Sequence, residues 1–306
     1  MLAIALSVLL AFECSLYVLA ARHFFDATPM QCLVAALGGV LGLRAGINVV
    51  TWSFASALRT PWPELGFLRF VRMLLIEYAA FVFCFVFLLP GERFWLGRDR
   101  LRPSPDRPPL LLVHGYGCSR GAWWWLRRRL EAAGWVVATI SLEPVYTSID
   151  NFVDPLARRI DEVCAATGAA RVILIGHSMG GLVSRAYLRR YGPQRVARLL
   201  TLGTPHRGSA LARIGFGQNG RQMEPGSDWL RALATTPPGV DTVVLYSPHD
   251  NYVMPQALLE LPGVPHRRID GVGHLSMLFS LRVASALQAA LQLPSSSSAG
   301  WKLRGL

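Results

Sequence analysis

The sequence predicts an α/β fold, a mostly parallel sheet covered by helices on both faces, preceded by a helical region of two or three membrane spans. Three observations predict it. Beyond Pro109, short and continuously apolar runs alternate with longer helix-like stretches, the pattern of a buried parallel sheet with crossover helices. One run, Arg171-Val172-Ile173-Leu174-Ile175, leads straight into Gly176-His177-Ser178-Met179-Gly180 and then into the helix-like Leu182-Val183-Ser184-Arg185-Ala186-Tyr187-Leu188. Before Pro90 the chain is far more apolar than after it, which explains an apolar fraction of 52% and a mean hydropathy of +0.34 over 306 residues.

The first region, 1–90, is read as membrane-spanning. Residues 1–20 are apolar apart from Glu13, 31–58 mostly so apart from Arg44, and 71–89 apart from Arg72 and Glu77. A helix needs about 20 apolar residues to cross a bilayer core, and all three segments approach that. A secretory signal peptide would want a basic start. No Lys or Arg precedes Leu2, and although Ala20-Ala21 resembles a cleavage site, two more apolar segments follow. A buried helical subdomain of a soluble protein is the competing reading. Glu13, Arg44 and Glu77 are costly in lipid unless paired or near an interface. Arg44 therefore pairs with Glu13 or Glu77, or Glu77 sits at a headgroup boundary. With three spans, Arg22 falls on the side of Arg93, Arg98, Arg100, Arg102 and Arg107, against Arg59, Arg69 and Arg72. By the positive-inside rule that count favours the cytoplasmic side for the second half, but losing one span would nearly even it, so the side stays open.

The net charge is +12, carried almost wholly by arginine, since Lys302 is the only lysine. Most of the excess lies beyond Pro90, where a basic face suits anionic headgroups. No zinc-finger spacing, RNA-binding motif or basic amphipathic arm occurs, so nucleic acid is not an expected partner. The five cysteines, Cys14, Cys32, Cys84, Cys118 and Cys164, have no C-x-x-C spacing and imply no disulfide framework.

The elements follow in order. Residues 91–109 are basic and proline-rich and read as a juxtamembrane linker. Leu110-Leu111-Leu112-Val113 is a short buried strand. Residues 120–133 form a helix, 135–140 a strand, and 149–167 a helix stopped by Gly168. The strand 171–175 precedes a helix reaching Tyr191. Strands follow at 196–202, 242–246 and 266–269, and 275–291 is the last helix. The domain thus covers 110–293, and the Ser-rich 294–306 is a flexible tail.

The strand, G-x-S-x-G, helix order defines a tight turn that exposes a serine. Gly176 and Gly180 lack the Cβ atoms that would collide there, and Gly181 gives the helix room. That helix start also aims free N–H groups at a developing oxyanion. A second donor belongs on the loop after the first strand, His114-Gly115-Tyr116-Gly117, where Tyr116 joins Met179, the residue after the nucleophile. An acid and a base must follow in chain order. Asp250, in Ser247-Pro248-His249-Asp250, lies past a strand end. His274, in Gly271-Val272-Gly273-His274, lies past the last strand. Asp241 and Asp270 fit the order less well. His114, His177 and His206 are expected to line the substrate site, His249 abuts the acid, and His23 and His266 lie away from the strand ends.

The stretch Leu112-Val113-His114-Gly115-Tyr116-Gly117, the run Gly176-His177-Ser178-Met179-Gly180-Gly181 and Thr201-Leu202-Gly203-Thr204-Pro205-His206-Arg207-Gly208-Ser209 resemble bacterial triacylglycerol lipases and esterases of the α/β-hydrolase superfamily. So does the piece around Gln222-Met223 and Pro225-Gly226-Ser227, and the likeness covers about 109–293. It implies the α/β-hydrolase fold, with Ser178 as nucleophile, Asp250 as acid, His274 as base, and Tyr116 and Met179 as backbone oxyanion donors. It implies a lipid or other acyl ester as substrate, a multi-pass location such as a bacterial inner membrane, and no cofactor. Some such lipases hold calcium, but nothing here compels a metal site. An acyltransferase or thioesterase with the same triad is the first alternative, and a non-enzymatic membrane scaffold with a relic domain the second. Nothing in the sequence sets the oligomeric state. A cap lies between Gly208 and Pro238, with Ile214-Gly215-Phe216-Gly217 either a mobile lid or a surface loop. Trp123-Trp124-Trp125 is an acyl-binding wall or interfacial patch, with at least one ring in the core.

Overall fold

The computed structural model describes residues 1–61, 63–105 and 107–293. The Ser-rich tail lies outside the described residues. Helix α1 (Leu2–Phe25) turns through Asp26, in the left-handed region at φ 47°, into α2 (Pro29–Ala57). Thr28 caps α2 reciprocally with Gln31, and Pro29 at the first helical position fits a site whose N–H needs no partner. Helix α3 (Phe67–Val82) continues into a π-helical turn, Phe83–Leu88. These three helices are long and apolar enough to cross a membrane.

A single helical turn, α4 (Glu92–Trp95), leads to the sheet domain. Its elements are β1 (Leu110–Val113), α5 (Trp124–Ala132), β2 (Val137–Ile140), α6 (Val153–Thr167), β3 (Val172–His177), α7 (Met179–Tyr191), β4 (Val196–Leu202), α8 (Gly217–Gln222), α9 (Asp228–Ala234), β5 (Asp241–Tyr246), β6 (His266–Arg268) and α10 (Leu281–Gln292). The strand order is β2-β1-β3-β4-β5-β6, and every pairing is parallel. Alternate strand residues serve opposite faces. Leu110, Leu112, Ile173 and Ile175 pack with Leu126 of α5 and Leu287 of α10. Leu111, Val113, Val172 and Leu174 pack with Leu156 of α6 and Leu182 of α7. This is the expected α/β-hydrolase fold.

The element boundaries differ from the sequence expectation in instructive ways. β3 runs on to His177 because Gly176 and His177 still pair with Thr201 and Leu202 of β4. The last helix is broken at Ser280, whose side chain accepts from Val283 N and starts α10 afresh after a 3-10 turn, Ser276–Phe279. Segment 91–109 is docked rather than a free linker. The Asp99 carboxylate accepts from Thr139 N at 2.8 Å, and lies 2.7 Å from Arg159 and 3.0 Å from Arg127.

The N-terminal helices do not stand apart from the sheet domain. The Met1 ammonium lies 2.7 Å from Glu143, and Thr60 N donates to Gln256 Oε1 at 3.1 Å. Trp52 and Ala55 of α2 and Met73 of α3 form one cluster with Met254. The Phe83 ring stands 5.7 Å from Trp124 and 5.8 Å from Phe279. Buried Glu13 and Arg44 form an ion pair between α1 and α2, which resolves the two pairings open to Arg44. At the α1–α2 turn, Ala21, Ala27 and Cys32 pack with Val18 and Ala35 of the same two helices. Met1 and Thr60 belong to the side opposite Arg22 in the arginine count, yet both bond to sheet-domain loops, so the six-against-three comparison assigns the domain no side. The five cysteines are free.

Candidate active site

Ser178 follows the central strand β3 and precedes α7. It is held at φ 54°, ψ −128°. For a residue with a side chain that conformation costs on the order of 1–3 kcal/mol. The turn persists because its neighbours leave no alternative. A Cβ on Gly180 would lie 2.0 Å from Val113 O, and one on Gly176 2.5 Å from Gly181 N. Ser178 N donates to Leu202 O at 2.8 Å, pinning the turn to β4. Gly115 passes so close that a Cβ there would sit 2.8 Å from Ser178 Cβ and 3.3 Å from its Oγ. The loop bearing Tyr116 therefore lies against the serine. Met179 is the first residue of α7, so its N–H has no partner within the helix.

Asp250 and His274 meet at the same end of the sheet, past β5 and β6. Asp250 is fully buried. Its Oδ1 accepts from Tyr252 N and Val253 N, both at 2.8 Å, and its Oδ2 accepts from His274 Nδ1 at 2.7 Å. With Nδ1 donating, the His274 Nε2 is the acceptor. Burial opposes protonation of this imidazole, but the charge of Asp250, its hydrogen bond and the charge of Glu77 outweigh that and raise the His274 pKa above the ordinary value. The Tyr252 ring stacks on it at 5.1 Å.

Two groups holding the His274 loop come from the N-terminal helices. Glu77 of α3 is fully buried; its Oε1 accepts from Leu275 N and its Oε2 from Ser276 N, both at 2.8 Å. His274 N donates to Asn251 Oδ1 at 3.0 Å, and Asn251 Nδ2 donates to Thr51 Oγ1 of α2 at 3.3 Å. Sequence reasoning singled out Glu77 only as a charge awaiting a partner. It had no means of finding that partner 198 residues onward. Thr51 and Asn251 gave no signal at all.

The three histidines expected at the substrate are all buried and engaged elsewhere. His114 Nε2 accepts from Leu142 N at 2.8 Å, tying the β1 loop to the β2 loop, and burial lowers its pKa to about 4. His177 Nε2 donates to the His274 carbonyl at 3.1 Å. Burial and the neighbouring His274 hold it well below the ordinary pKa. His206 lies beside Thr201 and Arg185, and burial and the Arg185 charge likewise keep it neutral. Among the described residues none of the three lines the cleft that contains Ser178. Their place is in the framework, because each lies at or past a strand end but points into the packing between loops. Trp123 is fully buried in the core, and Trp124 and Trp125 lie beneath Arg128 and Arg129, so the tryptophan run does not wall the cleft.

The cleft itself has a volume of about 730 Å³ and an almost wholly apolar lining. Tyr116 and Tyr146 stand on one side. The cap follows, held where Phe216 N donates to Tyr116 Oη and Tyr116 Oη donates to Phe216 O, both at 2.7 Å. The remaining wall is α2. A serine on a strained turn at a helix start and an imidazole oriented by a buried carboxylate are the groups that acyl transfer needs.

Residues 108–223 match the family model for the alpha/beta hydrolase fold. A triacylglycerol lipase of Pseudarthrobacter phenanthrenivorans is 40% identical over 117 residues, 36% of each chain. A 1-acylglycerol-3-phosphate O-acyltransferase of Sus scrofa is 30% identical over 159 residues, 48% of this chain and 42% of that one. The chain thus spans well under half the length of these relatives. Among solved structures, the mature lipase BlEst2 of Bacillus licheniformis superposes with a TM-score of 0.56 at 20% identity, over 62% of this chain and 94% of that one. The matched stretch, which contains the elbow, and the superposed sheet give this part of the chain the α/β-hydrolase fold and a likeness to lipases and esterases.

Proposed function

We propose that this chain is a membrane-anchored serine hydrolase that cleaves acyl esters, and that its substrates are lipids. The observation that carries this reading is the 2.7 Å contact between His274 Nδ1 and buried Asp250 Oδ2, on the same rim as Ser178 and its apolar cleft. Ser178 Oγ attacks the ester carbonyl while His274 Nε2 takes its proton. The tetrahedral oxyanion accepts from Met179 N–H and Tyr116 N–H. The intermediate collapses by breaking the carbonyl–oxygen bond, and the imidazolium gives its proton to the departing alcohol. Water then attacks the acyl-serine, His274 takes its proton and returns it to Oγ, and the carboxylic acid leaves. Asp250 keeps the imidazole tautomer and stabilises its cation throughout.

The three long apolar helices support membrane anchoring. Purified full-length protein should release p-nitrophenol from p-nitrophenyl esters and label with a fluorophosphonate. Ser178→Ala should abolish both, and retained turnover would sink the assignment. The likeness to an acyltransferase favours a second reading in which a lysolipid hydroxyl replaces water in the second half. Adding lysophosphatidic acid to the assay separates the two, since a transferase makes phosphatidic acid where a hydrolase makes only free fatty acid.

A further inference from the structure

The cleft beside Ser178 borrows one wall from outside the hydrolase domain. Gly42, Gly46, Ile47 and Val50 of α2 line it, spaced so that they share one helical face, opposite Ile214 and Phe216 of the cap. Its volume of about 730 Å³ suits a small-molecule site. The glycines on this helix differ in what they accommodate. Gly39 lets α1 approach, because a Cβ there would lie 2.5 Å from the Tyr17 ring. Gly42 and Gly46 have no such neighbour: a Cβ on either meets nothing within 4 Å. Glycine weakens a helix relative to alanine, and helix packing in this chain does not require it at these two positions. What they leave is a strip of open apolar space running from the nucleophile along α2.

The strip offers few polar partners. The Thr51 hydroxyl, at its end, already accepts from Asn251 and donates to Asn48 O at 3.0 Å. A flexible alkyl chain satisfies such a channel and a polar ligand does not. The outer faces of the flanking elements are apolar as well, with Leu37, Leu41 and Val49 of α2 exposed and Phe216 of the cap 76% exposed.

We propose that α2 is the acyl-chain wall of the active site. The long acyl chain of a membrane-lipid ester lies along the Gly42–Gly46 strip with its carbonyl at Ser178, and it enters sideways from the hydrocarbon layer around α2 without crossing water. The proposal rests on Ser178 being the nucleophile of an ester hydrolase, and it makes a membrane helix, rather than the hydrolase domain alone, the determinant of chain length.

The test uses full-length protein in detergent micelles, with kcat/KM measured for p-nitrophenyl acetate and p-nitrophenyl palmitate. Gly46→Phe and Gly42→Leu project bulk into open space and replace a poor helix former, so neither burdens folding. The expected result is a palmitate-to-acetate kcat/KM ratio at least about tenfold below that of wild type, the range in which pocket size alone discriminates. An unchanged palmitate-to-acetate ratio in both variants overturns the proposal. So does an unchanged ratio accompanied by an altered oligomeric state in light scattering, which would make the strip a docking face for a second copy of α2. Failure of the underlying reading looks different: wild type would then turn over neither ester and resist fluorophosphonate, and both ideas would fall together.

Discussion

The hydrolase domain and the N-terminal helices bury their polar groups for opposite reasons. In the domain, outward faces are charged and basic, and the buried polar groups support loops that already belong to the domain. His114 ties the β1 loop to the β2 loop, and Asp99 binds the approach segment to β2. In the helices, the outward faces are apolar, with Val8, Phe12, Leu16, Leu33, Leu37 and Val49 all exposed. Their buried polar side chains reach for partners, Glu13 for Arg44, Thr51 for Asn251, and Glu77 for the His274 loop. A helix pair that served only as a tether would have no use for Thr51 and Glu77 in those places. The difference teaches that the boundary between the apolar helices and the sheet domain does not follow the chain at Pro90.

The largest effect expected lies within the domain. Asp250→Asn should cost about 10⁴-fold in kcat, because an amide donates toward Nδ1 and favours the wrong tautomer. Steady-state kinetics on a short ester checks it, and a loss below tenfold would mean that another carboxylate serves His274.

The sharpest probe of the comparison is Glu77, a positioning residue outside the domain. Glu77→Ala leaves the buried Leu275 and Ser276 N–H groups without their acceptors, at about 1–3 kcal/mol each. We expect kcat to fall about 10–100-fold with KM nearly unchanged. Four groups face the His274 ring: Asp250, Glu77, the neutral His177 and Tyr252. Removing the Glu77 charge should therefore also move the acid limb of the pH–rate profile to lower pH. A purely structural role would lower activity evenly across pH.

The limb itself is the third prediction. His274 must be neutral to act as base and its pKa is raised, so activity should rise with pH through a value above the ordinary imidazole pKa of about 6.5. Stability should move in the same direction at the framework histidines, although their pKa values are lowered rather than raised. The folded pKa of His114 is about 4, so its contribution is complete above the unfolded value near 6.5 and declines as pH falls toward 4. His177 and His206 act in the same sense. Denaturant midpoints between pH 7 and 4 would test this, and a flat profile would contradict it.

The smallest effect on chemistry is expected at the Glu13–Arg44 pair. Arg44→Met leaves an uncompensated buried carboxylate and should cost about 3–5 kcal/mol of helix packing, while pairing it with Glu13→Leu restores most of that. Thermal unfolding in detergent reads the stability, and short-ester kcat in the folded fraction should stay within a few-fold of wild type.

Much of this was legible beforehand. The strand sequence is carried by local apolar runs, and the elbow by glycines whose spacing is contiguous in the chain. The contact between Asp250 and His274 follows from order along the chain combined with strand ends. The framework histidines were misplaced because lying past a strand end does not say which way a ring turns. His114 turns toward Leu142, His177 toward the His274 carbonyl, and His206 toward Arg185.

By itself, then, the sequence determined that a serine stands on a strained turn after a central strand, that a carboxylate and an imidazole follow it in order, and that three apolar helices precede them. Each is a local property, set by residue type and spacing within a few positions. Only the tertiary structure decided that α3 lends a carboxylate to the base loop and α2 a wall to the cleft. Those contacts join residues up to 200 positions apart, and no periodicity or motif carries information across such a separation. They exist because an apolar helix can shed its polar residues only toward a neighbour that meets their hydrogen bonds, and here that neighbour is the pair of loops carrying Asp250 and His274.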